Sequence, residues 1–429
     1  MVGRSEVLAF RTSRARAAPR AARHVNGSRR PASTGAVVVG GDYNGLGIVR
    51  SLGRHGIPIV VVDDEPSISR FSRYASRSVR VPSLRSEEAV EQTLLALGSD
   101  LQLGGWVLFA TRDEIVASIS TRRDKLSLVF RVPTPGWQVV SWALDKRLTY
   151  QRAHELGIPT PRTWHIKIPA ELGPLARHLP LAIKPAIKEH FIYVTKVKAW
   201  RADTAAELDD AFKRAIAVIP VDEVLIQDLV PGDGQQQFSY CAFFKNGQAE
   251  ATMTVRRTRQ RPHDFGRSST YVETVEVPQI EEYSRRFLAS IGYYGLVEIE
   301  YKLDRRDGEY KLLDVNPRTW GYHAIGAVAG TDFPLALYCD QLGDPLPASR
   351  AAAGVSWFRL TTDLAGALDQ LSRRQLDVRR YVRTLRRADV EAVFHRDDLL
   401  PGVAEIALLP YLYKTRGANR WLKGVSRGG

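Results

Sequence analysis

The stretch Glu300-Tyr-Lys-Leu-Asp-Arg-Arg-Asp-Gly-Glu-Tyr-Lys-Leu-Leu-Asp314-Val-Asn316-Pro-Arg318 spaces Glu300, Asp314 and Asn316 as an oxygen-ligated cation needs them. Strand-forming runs flank the turn residues Asp307-Gly308, so the stretch predicts a hairpin with an acidic group on each strand facing one side. Asp314 and Asn316 are two apart and share a face on an extended strand. Magnesium takes oxygen from one or two carboxylates together with substrate phosphates, and Arg318 would offer those phosphates a fork of donors. Glu298 shares the strand face of Glu300 and competes for its role, with spacing favouring Glu300. The alternative is an ordinary hairpin with solvated charges.

Upstream, residues 237 to 244, 249 to 256 and 271 to 277 read as strands and 281 to 291 as a helix. Before them lies a smaller α+β block. Asp145-Lys146 opens a helix that Gly157-Ile-Pro-Thr-Pro161 stops, because proline forces extended backbone. A strand at 181 to 185, a loop through His190, a strand near 193 to 200, a helix over 204 to 217 and a strand over 223 to 227 complete it. From Gly35 a third pattern runs: strand 36 to 39, glycine turn 40 to 47, helix 48 to 55, strand 57 to 62. That is a βαβ unit of a parallel sheet. Elements at 79 to 81, 86 to 97 and 106 to 110 extend it into a Rossmann-like domain. The expected divisions are a disordered basic tail at 1–34, the Rossmann-like domain at 35–140, a lid at 141–230, a larger lobe with the metal site at 231–348 and a basic, largely helical extension at 349–429.

A chain of 429 residues is long enough for two or three cores. Its net charge of +14 suggests nucleic acid until it is located. Residues 1 to 34 hold eight Arg and one acid, and residues 350 to 429 hold 15 Lys plus Arg against eight acids. The middle carries 38 of each sign, so the globular centre is neutral and a poor nucleic-acid reader. The two cysteines, Cys241 and Cys339, provide neither a disulfide framework nor a thiolate metal site. With no run of 18 apolar residues and no apolar leader, a soluble, cytoplasmic protein is expected. The Arg-rich start is similar to an organelle transit peptide, and an overlong reading frame explains it equally.

Taken in order, Asp145-Lys146, Leu181-Ala-Ile-Lys184-Pro185, Leu225-Ile-Gln227-Asp228-Leu-Val-Pro-Gly232, Gly295-Leu-Val-Glu-Ile-Glu300 and Leu312-Leu-Asp314-Val-Asn316-Pro-Arg318 resemble the ATP-grasp superfamily, and within it carboxylate-amine ligases of the D-aspartate ligase type. The resemblance covers residues 35 to about 345 and implies a mixed α/β and α+β ATP-grasp fold. It implies ATP held between two lobes, with adenine on the linker Gln227, Asp228, Leu229 and Val230, and ribose on Gln237 or its rival Asp233. Lys146 and Lys184 would neutralise the phosphates, with Lys198 as a further cation. Glu300, Asp314 and Asn316 would hold two magnesium ions, manganese being a substitute, and Arg318 would sit by the transferred phosphoryl group. The activity implied joins a small-molecule carboxylate to an amine through an acyl phosphate. Oligomeric state stays open, a homodimer being compatible.

Two departures accompany this. The family's glycine-rich phosphate loop corresponds here to Ala186-Ile-Lys-Glu-His190-Phe, without glycine, so its work would fall to Lys188, His190, Lys196 or Lys198. The polar stretch from Arg256 to Thr270 is expected to be an active-site loop in which Arg256, Arg259 and Arg267 grip a carboxylate or its acyl phosphate, with His263 as a base; a solvated loop is the alternative. In the extension, Val378, Tyr381, Val382, Leu385 and Val393 recur at helical spacing among arginines, a basic amphipathic helix that suits the enzyme surface, an anionic membrane or an acidic partner. Two rival functions remain at this level. One is a nicotinamide-dependent oxidoreductase using Gly41-x-x-x-Gly45-x-Gly47 and Asp63, although the spacing departs from the dinucleotide fingerprint. The other is a non-catalytic nucleotide-binding regulator.

Overall fold

The computed structural model describes residues 34–232, 234–261, 268–372 and 377–416. Asp233, His263, Arg267 and the N-terminal tail up to residue 33 lie outside them. The first layer is a parallel sheet in the order β3-β2-β1-β4, built from β1 (Ala36–Val39), β2 (Ile59–Asp63), β3 (Arg77–Arg80) and β4 (Val107–Ala110). Around it pack α1 (Tyr43–Arg54), α2 (Glu87–Asp100), α3 (Asp113–Thr121), α4 (Arg123–Ser127) and α5 (Trp137–Leu144). β1, and β2 as far as Val62, are continuously apolar because both faces are covered.

The glycine turn is shorter than its composition predicts. α1 starts at Tyr43, since Asp42 caps it by accepting from the N–H groups of Asn44 and Gly45. Gly45 and Gly47 therefore lie inside the helix, where a Cβ would meet the Gly40 carbonyl oxygen at 2.2 Å and the His323 ring at 2.6 Å. Asp63 accepts from the Gly41 N–H at 2.6 Å and pairs with Arg112. Helix packing and internal hydrogen bonds thus account for the features that suggested a dinucleotide.

The lid is a second sheet, β5-β8-β6-β7, from β5 (Thr163–Trp164), β6 (Leu181–Pro185), β7 (Trp200–Ala202) and β8 (Val224–Asp228). α6 (Lys146–Glu155) puts Tyr150 and Ala153 into the core of the largest sheet, whereas α7 (Lys188–Thr195) and α8 (Ala205–Ile216) pack on the lid sheet itself. Thr204 and Glu207 close a capping box on α8. α7 corrects two expectations: the glycine-free segment is a helix, not a loop, and 193 to 199 is not a strand. Phe191 and Ile192 are buried on this helix, Phe191 edge-on to Trp200 with ring centroids 4.7 Å apart.

The largest sheet runs β13-β12-β9-β10-β11-β15-β16, with β14 beside β10. Its strands are β9 (Gln237–Lys245), β10 (Gln248–Arg261), β11 (Ser268–Val275), β12 (Gly295–Asp304), β13 (Glu309–Asn316), β14 (Ser349–Arg350), β15 (Ser356–Phe358) and β16 (Val390–Glu391). The helices here are α9 (Pro278–Ser290), α10 (Ala324–Val328), α11 (Phe333–Gln341), α12 (Leu360–Ser372), α13 (Val378–Arg387) and α14 (Leu400–Arg416). β10 reaches Arg261, so the expected loop is strand as far as that residue. The sheet also continues past residue 348, and the extension contributes three short strands to it. α13 ends at Arg387, which leaves Val393 buried in the connection before α14 instead of on the helical stripe.

Alternation along these strands divides two cores. Cys241, Phe243 and Leu296 join Leu46, Val49, Trp320 and Trp357 in one shared with the Rossmann-like layer and the extension. Tyr240, Ala242, Val297 and Ile299 face Phe287 and Tyr150 in the other. The lid sheet has its own core. A buried pair locks the extension to α1: Arg50 Nε lies 2.9 Å from Asp398 Oδ2, and Asp398 also accepts from Ser72 Oγ and the Arg73 N–H. Asp398→Ala strands a buried guanidinium and should lower unfolding stability by about 3–5 kcal/mol in urea titrations.

Candidate functional site

The β12–β13 hairpin sets the site. Glu298 lies opposite Asn316 and Glu300 opposite Asp314, so all four share one face of the sheet. That face is apolar at Leu296, where the Rossmann-like layer covers it, and becomes polar at Glu298 and Glu300 as it enters a cleft beneath the lid. The cleft holds about 900 Å³ of atom-free space. Lys146, Lys184, Lys188, Lys198, Gln227, Asp228, Leu229, Val230, Gln237, Glu300, Lys302 and Asp314 all contribute to its wall.

At one end is the strand-to-lobe linker. The N–H groups of Leu229 and Val230 have no backbone partner among the described residues. Lys302 Nζ donates to the carbonyls of Val230 and Gly232, each at 2.8 Å, which holds the linker from below. Gln237 Oε1 is buried without a hydrogen bond among the described residues.

Next come the lysines. Lys146, at the start of α6, donates to Asp314 Oδ1 at 2.8 Å. Burial opposes its charge, but the Asp314 carboxylate holds the ammonium above its usual range. Lys184 donates to Tyr150 Oη at 2.6 Å, and Tyr150 donates in turn to the Leu313 carbonyl. Lys198 makes no hydrogen bond or ion pair with any described residue, and burial pushes its pKa down to about 8. Of the three other candidate cations, Lys188 lines the cleft and bonds Asp113, His190 turns to Glu223 at 2.8 Å, and Lys196 is exposed at the end of α7, bonding the Tyr193 carbonyl.

The acids sit deeper. Glu298 is 4% exposed and burial, then Glu300, raises its pKa. Glu300 and Asp314 are lowered despite burial, by Arg257 and Lys146 respectively. Asn316 Nδ2 donates to Glu298 Oε2 at 3.2 Å and to Glu300 Oε1 at 3.1 Å, while its Oδ1 accepts from Arg318. Glu300 Oε2 and Asp314 Oδ2 accept no hydrogen bond from described residues, so each keeps an oxygen for a cation. An all-oxygen donor set with spare lone pairs fits magnesium.

The arginines divide. Arg318 donates to Asp113 through Nε and, at 3.2 Å, through Nη2. Arg256 pairs with Glu273 at 3.2 Å, and Arg259 pairs with Asp363 at 2.8 Å while stacking on Tyr271, so neither lines the cleft. Arg257, which the spacing of acids did not single out, is the buried one: its Nη2 lies 2.8 Å from Glu300 and 3.3 Å from Glu298. A signal existed, because Val255 and Arg257 share a strand face and a cation on a buried face needs acids within reach. Lys302 and Asp113 were missed as well; nothing in local spacing links either to the cleft.

No family model matches the chain. It is 25% identical over 299 residues to D-aspartate ligase of Enterococcus faecium (strain Aus0004), a match covering 66% of this chain and 70% of that one. The crystal structure of L-amino acid ligase from Bacillus licheniformis superposes with a TM-score of 0.57 at 16% identity, covering 73% of this chain and 75% of the other. The ADP complex of purK, N5-carboxyaminoimidazole ribonucleotide synthetase, superposes at 0.60 with 15% identity, covering 79% and 85%.

Lys198 supplies a pH test of the cleft. Its ammonium is present below about pH 8 and lost above it, so ADP affinity in metal-free buffer should fall as pH rises through that value. The expected limit is about tenfold per pH unit, and Lys198→Arg should flatten the profile in calorimetric titrations.

Proposed function

We propose that this chain, an ATP-grasp protein, is an ATP-dependent carboxylate-amine ligase. One carboxylate, one amine in its ammonium form and ATP would yield an amide, ADP, phosphate and a proton. The observation that carries this reading is a single cleft lined by a linker whose N–H groups have no backbone partner among the described residues, five lysines and two acids with spare oxygens. Likeness to a D-aspartate ligase supports the choice of carboxylate and amine as substrates.

In this proposal the Leu229 and Val230 amides take the adenine edge, Gln237 the ribose, and Lys146, Lys184 and Lys198 the phosphates. Glu300, Asp314 and Asn316 would hold magnesium, with Glu298 behind them. The metal supplies charge neutralisation at the transferring phosphoryl group. Arg257 keeps Glu300 ionised when the metal is away, and Arg318 stands beyond Asn316 to meet the carboxylate and its acyl phosphate. Rate enhancement comes from positioning and fixed charge, so no covalent enzyme nucleophile is required. The lid excludes water that would hydrolyse the acyl phosphate.

No helix among the described residues is long and apolar enough to cross a membrane. A cytoplasmic setting belongs to the proposal, supported by two buried cysteines that are not joined in a disulfide. So does peripheral membrane contact: Val378 and Val382 are exposed on α13 beside Arg379, Arg383, Arg386 and Arg387.

ADP release that depends on both a carboxylate and an amine, screened over amino-acid pairs, tests the reading. Asp314→Asn should lower kcat by about 10²–10³ with folding retained. Undiminished ATP turnover in that variant overturns the metal assignment.

A further inference from the structure

We propose that Asp113 binds the ammonium group of the amine substrate, an assignment that rests on the ligase reading above. Asp113 is the first residue of α3, on the Rossmann-like domain, and is 4% exposed. Its carboxylate takes two cations from two other parts of the chain. Arg318, just past β13, donates to both oxygens, and Lys188, at the start of lid helix α7, donates to Oδ2. Burial works against the charge of Asp113, and Arg318 and Lys188 outweigh it, holding the carboxyl far below its usual range. The group is therefore a fixed negative charge, unsuited to act as a base.

Its place explains what it could receive. Polar groups run in sequence from the linker, past Lys146 and Asp314, to Asn316, then Arg318, then Asp113. An acyl phosphate beside Arg318 must be reached from a side the nucleotide does not fill, and Asp113, which does not line the nucleotide cleft, meets Arg318 through Nε as well as through the Nη2 that also donates to Asn316 Oδ1 at 3.3 Å. Lys188 belongs to both regions, since it lines the nucleotide cleft while bonding Asp113. A triphosphate entering the cleft competes with Asp113 for that ammonium. Once Lys188 turns to phosphate, Asp113 retains both Arg318 bonds while Oδ2 loses one of its two donors, which opens on a buried carboxylate oxygen the acceptor position a substrate ammonium needs. The exchange requires only rotation of Lys188, because α7 stays docked on α3: Tyr193 Oη donates to Glu114 Oε1 at 2.7 Å, and the Arg85 guanidinium lies 5.2 Å from the Tyr193 ring centroid. It also orders the reaction, with ATP binding ahead of the amine.

The test compares two nucleophiles on the full-length protein. Hydroxylamine is neutral near pH 7.5 and traps an acyl phosphate as hydroxamate, whereas the substrate amine arrives as an ammonium. Asp113→Asn keeps an oxygen for Arg318 and removes the charge. It should raise KM for the amine by about 30-fold or more, while hydroxamate formation falls by less than about threefold, and Asp113→Glu should recover part of the amine affinity. Equal loss of both products would make Asp113 a clamp for Arg318 and overturn the proposal, as would an amine KM that does not move. Absence of hydroxamate from the unsubstituted protein with every carboxylate would overturn the ligase reading, and this assignment with it.

Discussion

Two glutamates two residues apart on one strand, facing an aspartate across a hairpin, cannot be buried together without cations. Everything around the cleft answers that constraint. Arg257 reaches Glu298 and Glu300 from β10, across β9, where the intervening residue in register with Glu300 is the small Ser239. Lys146 comes from α6 to Asp314, and Lys184 and Lys198 close the other wall. Removing any one member of such a cluster leaves an uncompensated charge, which costs more than the pair itself contributes. Charge balance thus determines which helices and strands must meet at the hairpin, and their meeting makes the cleft.

The remaining architecture divides into a platform and a cover. One apolar core joins the Rossmann-like layer, the large sheet and the extension, with Arg50 and Asp398 tying the last to α1. The extension also packs Arg359 over the Tyr43 ring at 4.1 Å while pairing it with Glu405, so the start of α1 is enclosed. The lid sheet keeps a separate core, although Ala186 and Leu225 also reach the core behind the large sheet, and α7 touches the platform through polar contacts such as Lys188 to Asp113 and Tyr193 to Glu114. Apolar contact makes the platform one body, whereas polar contacts can be exchanged for ligand contacts.

Local chemistry made much of this legible. The hairpin follows from alternation and a glycine at φ +77°, α6 from the Asp145 cap, and the shared face of Asp314 and Asn316 from the two-residue period of a strand. Where local preference competes with packing it misleads. Ile192, Tyr193, Val194 and Thr195 favour a strand in isolation, yet burial of Phe191 and Ile192 on the lid sheet makes them helical. Arg256, Arg257 and Arg259 look too polar for a sheet, but each finds an acid there, and a register shift within residues 257 to 260 redirects the strand.

By itself, then, the sequence determined the order of the layers, the acid-bearing hairpin and the two lysines, because caps, turns and strand period act over a few residues. Only the tertiary structure decided which cations balance which acids. Arg257 lies 41 residues from Glu298 and Asp113 lies 205 from Arg318, and no local spacing records contacts that depend on how separate sheets are brought together. The same holds for the glycines of α1, which a linear motif assigns to a ligand and the packing assigns to His323 and the Gly40 carbonyl.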